Sequence, residues 1–215
     1  MPLIKVKDLE KNSKLGLWKI VESDESLLAQ LKLTEKQQNS IQTISGGKHF
    51  LHWLGSQAML RKMLKTDDFV DISLNQYGKP NIRKHKVNVS ISHAEDMAAV
   101  LISEDAAVGV DMEFVEPRIQ RVAHKFMNRE ELDTLNEKDE IELMYMYWCA
   151  KEALYKVYAK EKLGFRENLP IGPINLNGSK KVQTTGKIVT GKFEKEYNIK
   201  FERMDDYVLA YVIDN

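Results

Sequence analysis

The sequence predicts an α+β protein built as a pseudo-two-fold duplication, in which each half packs a small antiparallel sheet with a long helix. The first observation is a repeat: two helical segments carry residues of matching chemical type at a constant offset, from position 53 to position 148. The repeated motifs are Trp53-x-x-x-Gln57-Ala58-Met59-x-Arg61 and Trp148-x-x-x-Glu152-Ala153-Leu154-x-Lys156. The second observation is the order of elements, since each helix precedes an apolar strand headed by acids, at Glu95-Asp96-Met97 and at Asp205-Asp206-Tyr207. A recurring order of elements indicates duplicated supersecondary units.

The composition is that of a globular chain long enough to bury a sizeable core. Of the 215 residues, 43% are hydrophobic and 30% are charged, and 32 basic side chains balance 32 acidic ones. This zero net charge disfavours a dedicated nucleic-acid binder. No apolar run approaches the roughly 20 residues of a membrane span, and no signal region is recognisable, so we expect a cytoplasmic protein without a membrane partner. The two halves are expected at residues 1–105 and 106–215, with the boundary between Ser103 and Ala107.

Cys149 is the single cysteine of the chain. It cannot form an internal disulfide, which suits a reducing compartment. Because it lies in a helical motif beside Trp148, a packed thiol is favoured over a nucleophile.

In the first half, alternating apolar residues predict strands and apolar residues at helical spacing predict helices. The expected strands are 15–20, 87–93 and 97–102, and the expected helices are 26–33, 34–44 and 48–65. Thr34 is the expected N-cap of the second helix. Ser45-Gly46-Gly47 breaks the chain before the third helix, and Tyr77-Gly78-Lys79-Pro80 predicts a turn.

The same patterns predict the elements of the second half. A buried strand starts at Val108, a helical segment covers 118–127, and the motif helix covers 141–160. Asn128 and Glu131 have the spacing of a capping box, so a structural role is expected for Glu131. The final antiparallel sheet is expected from the alternating runs 187–189, 199–201 and 207–212.

Asp111 and Glu113 stand two residues apart in the strand that starts at Val108. Side chains alternate along a strand, so the two carboxylates leave the same face. Two like charges at the end of an apolar strand cost free energy unless a cation binds there, and Mg²⁺ is the usual partner of carboxylates with a phosphate co-ligand. The alternative is a strand that runs into solvent with two exposed acids.

Glu152 and Lys156 lie one helical turn apart on a single face of the motif helix. They could form a surface ion pair, or they could line a site. The equivalent of Glu152 in the first half is the neutral Gln57, so only the second copy of the repeat is ionisable at this position. One cleft between the halves is therefore expected, lined by Asp111, Glu113 and Glu152 on one side.

Taken together, the strand and helix motifs resemble the signature of the 4′-phosphopantetheinyl transferases. The motifs are Gly109-Val110-Asp111-x-Glu113 and Trp148-Cys149-x-Lys151-Glu152-Ala153-x-x-Lys156. Members of this family move the phosphopantetheine arm of coenzyme A onto a serine of an acyl or peptidyl carrier protein. The resemblance covers most of the chain after about residue 48 and is closest to the long, surfactin-synthetase-type branch. Further matches to that branch are Gly78-Lys79-Pro80, Ser90-Ile91-Ser92-His93 and Phe126-Met127-Asn128-x-x-Glu131.

The resemblance implies a Mg²⁺-dependent transfer from coenzyme A that releases 3′,5′-ADP. It implies that Asp111, Glu113 and Glu152 hold Mg²⁺ and that Glu152 and Lys156 are catalytic. It also implies that the phosphates of coenzyme A are contacted by Lys79 with Pro80, by Ser92 and His93, and by Lys156. Such a reaction needs a metal and cations to stabilise charge on the leaving group, and a carboxylate to accept the serine proton. Glu152 could be the metal ligand or the base.

The chain departs from the family at Gln57, where many relatives carry a basic residue. Few basic residues remain between 45 and 52, so the contact to the 3′-phosphate stays open among Lys36, Lys48 and Arg61. Two alternatives to transfer are an inactive relative that binds coenzyme A or a carrier protein, and an unrelated Mg²⁺-dependent phosphohydrolase.

The expected docking surface for an acidic carrier protein is the turn after the motif helix. There, Lys160, Lys162 and Arg166 flank the apolar Leu163 and Phe165. A helix end with solvated lysines is the alternative interpretation. Because the duplication supplies both walls of a cleft, a monomer is expected.

Overall fold

Two antiparallel sheets form the framework of the computed structural model, which describes residues 3–31, 33–34, 37, 41, 47–176, 178–179 and 181–214. Within these residues one sheet has six strands in the order β1-β2-β6-β5-β4-β3, and the other has four in the order β7-β10-β9-β8. The strands of the first sheet are β1 Leu3–Leu9, β2 Ser13–Lys19, β3 Ile72–Leu74, β4 Pro80–Ile82, β5 Asn88–Ala94 and β6 Met97–Ser103. Those of the second are β7 Val108–Phe114, β8 Lys181–Val189, β9 Glu194–Met204 and β10 Tyr207–Ile213. The α+β fold class is confirmed.

Two long helices dominate the helical part. The helices are α1 Asp24–Leu31, α2 Lys48–Leu64, α3 Ala123–Phe126, α4 Arg129–Leu132, α5 Glu140–Tyr158 and α6 Phe165–Asn168, with a 3₁₀ turn at Pro117–Arg121. The long helices α2 and α5 contain the two copies of the repeated motif. In the part of the chain described here, no helix combines the length and the apolarity that a membrane crossing requires.

The two halves share a strand arrangement. In the first sheet β6 lies between β2 and β5, and in the second β10 lies between β7 and β9. Both hairpins into these central strands turn through an acidic residue with a left-handed backbone, Glu95 (φ 47°) and Asp205 (φ 48°). Residues other than glycine adopt this conformation uncommonly, and aspartate is among those that adopt it most readily. Both long helices also end in a left-handed residue, Lys65 and Ala159.

Three buried clusters hold these layers together. The first lies between α2 and the six-stranded sheet, and includes Leu54, Met59 and Leu60. The second surrounds α5 on the four-stranded sheet. The third joins the two sheets and contains Val110 and Met112 of β7. Alternate residues of β7 therefore point into the contact between the sheets, while Asp111 and Glu113 point to the opposite face.

The elements depart from the predicted ones in several places. Strands β1, β3 and β4 and the short helix α6 were not predicted; β1 completes an edge of the first sheet, and β3 and β4 are only three residues long. The segment predicted as one helix over 118–127 is a 3₁₀ turn followed by α3, with a break at Val122 (φ −121°, ψ −7°). Most of the helix predicted at 34–44 lies outside the described residues, as does the Ser45-Gly46 break. The Oγ1 atom of Thr34 accepts from the backbone N–H of Gln37 at 3.4 Å, the hydrogen bond expected of an N-cap.

The predicted capping box at Asn128 and Glu131 is present, so the structural role of Glu131 is confirmed. The carboxylate of Glu131 is 1% exposed and binds the ammonium of Lys151, which is fully buried. Lys151 Nζ donates to Glu131 Oε1 at 2.8 Å, to Phe165 O at 3.0 Å and to Leu169 O at 2.7 Å. The buried cation therefore ties α5 to the start of α4 and to the segment that contains α6.

Candidate active site

The site is assembled where helix α5 crosses strand β7 at Gly109. A Cβ atom at this position would lie 2.0 Å from the carbonyl oxygen of Ala153 and 2.9 Å from the backbone nitrogen of Val157. Only glycine permits so close an approach. The contact brings Glu152 and Lys156, on the same face of α5, over the strand that carries Asp111.

Asp111 is buried at 4% exposure, so the interpretation of a strand running into solvent is wrong for this residue. Its Oδ1 accepts from Lys156 Nζ at 2.6 Å and from Ser92 Oγ at 2.7 Å. Its Oδ2 is buried and has no hydrogen-bond partner among the described residues. An unpartnered buried carboxylate oxygen is costly, which makes this atom a candidate ligand for a cation.

Glu113 lies on the same face of β7 and is half-buried. Trp148 Nε1 donates to its Oε1 at 3.1 Å, so the tryptophan of the helix motif orients the second acid of the strand motif. Burial, and then the charge of Asp111, raise the pKa of Glu113.

Glu152 is the third carboxylate of the site. Burial first, and then the nearby charge of Asp111, raise the pKa of Glu152 from 4.5 to about 7, against the opposing effect of Lys156. A carboxyl with such a pKa exchanges its proton near neutral pH, which suits a general base. The mutual repulsion of the three acids equally suits a cation site.

Lys156 pairs with Asp111 rather than with Glu152, so the surface ion pair considered from the sequence does not form. Its Nζ also donates to Val110 O at 3.0 Å. Burial alone would lower the pKa of Lys156, but the charge and the hydrogen bond of Asp111 outweigh it and raise the pKa. The ammonium therefore stays charged at neutral pH.

His93 contributes from the first half, at the end of β5. Its Nε2 lies 2.6 Å from Ser56 Oγ, and its ring stacks on His52 at 4.8 Å between centroids. Burial, followed by the charges of His52 and Lys156, lowers the pKa of His93 to about 3. The imidazole is therefore neutral at pH 7, and it acts through hydrogen bonding rather than through charge.

A cleft of about 170 Å³ lies between the two halves, and of the predicted site residues Asp111, Glu113, Ser92 and His93 are not in its lining. Its lining consists of Tyr77, Gly78, Lys79, Pro80, Ser90, Ile91, Glu152, Tyr155, Lys156 and Ala159. The Nζ atom of Lys79 donates to Val157 O at 3.1 Å, across the boundary between the halves. Burial and, to a lesser degree, Lys160 lower the pKa of Lys79, while Asp214 opposes the change. The predicted residues Lys79, Pro80, Glu152 and Lys156 thus line one cavity.

The candidates for the 3′-phosphate contact lie elsewhere or are not described. Lys36 is outside the described residues. Arg61 donates to Leu31 O at 2.6 Å and to Asp67 O, and it lines a separate cavity on the side of α1. Lys48 pairs with Glu95 at 2.6 Å, next to His52 in a third cavity.

No three His, Cys, Asp or Glu side chains converge as a ready metal site in the ranges that the structure describes. The donor set nevertheless fits a hard cation. Asp111 offers a buried oxygen without a partner, and Glu113 and Glu152 are close enough to Asp111 for its charge to raise their pKa. Oxygen donors of this kind suit Mg²⁺.

Sequence reasoning missed Ser56 and the two roles of Ser92. Ser56 lies one turn after His52 on α2, which was a signal that both share a face, but only the folded chain brings His93 onto that face. Cys149 is fully buried and its pKa is raised well above the ordinary value by burial, so the prediction of a packed thiol is confirmed.

Comparison with known proteins places these features in a family. Residues 107–212 match the model of the 4′-phosphopantetheinyl transferase superfamily. The 4′-phosphopantetheinyl transferase AcpT of Escherichia coli (strain K12) is 26% identical over 110 residues, which are 48% of this chain and 55% of that protein. A putative 4′-phosphopantetheinyl transferase of Haemophilus influenzae is 30% identical over 93 residues, 40% of this chain and 39% of that protein. The chain thus spans about half or less of the length of these relatives. The matched segment carries Asp111, Glu113, Glu152 and Lys156, and this segment, residues 107–212, belongs to the 4′-phosphopantetheinyl transferase superfamily.

Proposed function

We propose that this protein transfers the 4′-phosphopantetheine group of coenzyme A to a serine of an acyl or peptidyl carrier protein and releases 3′,5′-ADP. The observation that carries the proposal is the meeting of three acids and one lysine where α5 crosses β7. Asp111 presents a buried oxygen without a partner, and Glu152 has a pKa of about 7. The family match over the same residues supports the reaction class.

In this reaction the serine oxygen of the carrier forms a bond to the phosphorus that bears the pantetheine arm. The bond from that phosphorus to the oxygen of 3′,5′-ADP breaks, and the serine proton must go to a base. Glu152 is suited to take it, because its carboxylate is poised to accept a proton near neutral pH. The proton can also leave through a water molecule.

Asp111, Glu113 and Glu152 would hold Mg²⁺, which when bound supplies positive charge to the phosphates during transfer. Glu152 is suited both to hold the cation and to act as the base. Trp148 keeps Glu113 oriented through its indole N–H.

The lysines and His93 would receive the phosphates of coenzyme A. Lys156 and Lys79 each donate to a backbone carbonyl at 3.0 and 3.1 Å, and both line the cleft beside Pro80. Their ammonium groups can turn to phosphate oxygens, which bind cations more strongly than a carbonyl does. His93 is neutral and would donate one hydrogen bond without adding charge.

We also propose that the chain works as two subdomains, 1–105 and 106–215, in one cytoplasmic monomer. The division into two sheets at residues 103–108 supports the boundary. Superposition of the halves should bring Trp53 onto Trp148. A size measurement in solution should give one chain per particle, and an obligate trimer with shared sites would contradict the proposal.

The decisive experiment is the mass of an apo carrier protein after incubation with this protein, coenzyme A and Mg²⁺. We expect a covalent gain of one phosphopantetheine per carrier. An inactive relative would leave the carrier mass unchanged while coenzyme A still binds. A phosphohydrolase would cleave coenzyme A without any carrier, and either of these results would overturn the proposal.

A further inference from the structure

The edge of strand β7 that faces β5 forms hydrogen bonds with side chains instead of with the backbone of a neighbouring strand. Among the described strands, β7 has one hydrogen-bonded neighbour, β10. On its other edge, Ser90 Oγ accepts the backbone N–H of Val110 at 2.9 Å, and Ser92 Oγ accepts that of Met112 at 3.2 Å. Two serines of the first half thus replace the carbonyl groups of a missing strand partner.

Both serines are buried, at 2% and 7% exposure, so these hydrogen bonds are not shared with bulk solvent. A buried amide N–H without an acceptor would be costly. The two serines have the same spacing as the amides that they satisfy, two residues along each strand. They therefore hold β7 against β5.

Ser92 differs from Ser90 in one respect. Its hydroxyl also donates to Asp111 Oδ1 at 2.7 Å. A serine hydroxyl has a single proton, and here that proton is used on the carboxylate. Since a phosphate oxygen only accepts hydrogen bonds, the Ser92 hydroxyl cannot donate to coenzyme A while it holds Asp111.

The hydroxyl of Ser92 also decides which oxygen of Asp111 is left. Oδ1 receives two donors, Ser92 Oγ and Lys156 Nζ, whereas Oδ2 receives none. With one donor removed, the carboxylate could turn about its last side-chain bond and offer either oxygen to the lysine.

We propose that Ser92 is a positioning residue that orients the Asp111 carboxylate so that Oδ2 is presented to a divalent cation, in place of the phosphate contact expected from the sequence. The inference rests on the proposed function, in which Asp111 is a metal ligand. Groups that orient metal ligands through hydrogen bonds typically contribute about 10- to 100-fold to metal affinity.

Ser90 provides the matched control, since it holds a β7 amide as Ser92 does but makes no hydrogen bond to the Asp111 carboxylate. The measurement is binding of Mn²⁺, followed by the loss of its free-ion electron paramagnetic resonance signal. Coenzyme A is present at a fixed excess, and coenzyme A alone with Mn²⁺ is the blank. Thermal unfolding of each variant without metal reports the structural part of each change.

We expect S92A to raise the dissociation constant for Mn²⁺ by at least about tenfold. S90A should leave the dissociation constant close to the wild-type value. Both variants should lower the unfolding midpoint, because each leaves one backbone N–H of β7 without an acceptor. S92T keeps the hydroxyl and should restore affinity. If S92A does not fold, S92C against S90C gives the same comparison, because a thiol keeps the volume but is a weak donor.

Equal changes in Mn²⁺ affinity for S92A and S90A would overturn the positioning role and leave the proposed function standing. A wild-type protein that takes up no Mn²⁺ beyond the blank would overturn the metal role of Asp111 itself, and the positioning role with it.

Discussion

The Nζ atom of Lys156 lies 2.6 Å from Oδ1 of Asp111, and this contact links the strand motif to the helix motif. Asp111 is buried, and Lys156 is one turn after Glu152 on α5. The positive charge of Lys156 therefore compensates the charge of Asp111, one of the three carboxylates of the site. Glu113 and Glu152 are left with raised pKa values and no cation of their own among the residues described.

Substitution of Glu152 should separate stability from activity. Folding raises the pKa of Glu152 from 4.5 to about 7, so between these values the folded state binds more protons than the unfolded state. The free energy of unfolding therefore falls as the pH rises through this window, by at most about 3 kcal/mol for this residue. E152Q removes that loss.

We expect the stability difference between E152Q and the wild type to grow in favour of the variant from pH 5 to pH 8.5. Denaturant unfolding at both pH values measures it. Transfer to the carrier should fall at least about 100-fold, as is typical for a lost acid–base group. A variant with wild-type pH dependence and activity within about threefold of the wild type would remove Glu152 from both of its proposed roles.

Replacement of Gly109 should force α5 away from β7. In G109A the new Cβ would lie 2.0 Å from the carbonyl oxygen of Ala153 and 2.9 Å from the nitrogen of Val157. Both are backbone atoms of α5, which cannot move aside as a flexible side chain can. Overpacking of this kind costs about 1–3 kcal/mol or more. Transfer should fall as well, because Glu152 and Lys156 move with the helix. The control is G191A, where the added Cβ has nothing within 4 Å; equal unfolding midpoints for the two variants would contradict the close approach.

The buried Lys151 should be essential for stability. In K151M the carboxylate of Glu131, 1% exposed, loses its cation. Removal of one partner of a buried pair typically costs about 3–5 kcal/mol. The double variant K151M/E131Q should recover part of this loss in denaturant unfolding. If K151M is as stable as the wild type, the pair makes no net contribution to the fold.

The turn after α5 remains our predicted docking surface for an acidic carrier. Lys160 and Lys162 are exposed, whereas Phe165 is half-buried against Trp148 and Tyr155. The attraction is therefore expected to be mainly electrostatic, so reversal of both lysines to glutamate should raise the KM for the carrier about tenfold, more at low salt than at high salt.

The KM for coenzyme A should barely change in this double variant. The matched control reverses Lys84 and Lys86, two exposed lysines in the loop before β5. An equal effect of the two reversals on the carrier, or an equal effect of the Lys160 and Lys162 reversal on both substrates, would rule out this docking surface.

Local sequence patterns determined most of the elements of this fold. The alternation around Ser92 and Val110 and the helical spacing of Trp148, Glu152 and Lys156 are properties of short segments, and those strands and helices form where they were predicted. The capping box of Asn128 and Glu131 could also be predicted from the sequence, because its two residues are only three positions apart. The edge strand β1 was not, since its pairing with β2 is decided by the sheet.

Only the tertiary structure decided how the side chains of the site are shared. The sequence indicated that Asp111 and Glu152 belong to one cleft, but it left open whether Lys156 pairs with Glu152 or lines the site, and it did not indicate the pair with Asp111. The contact at Gly109 decides this, because it places α5 directly on β7. The second role of Ser92 and the neutrality of His93 depend on burial between the two halves, and burial is a property of the packed chain that local spacing does not contain.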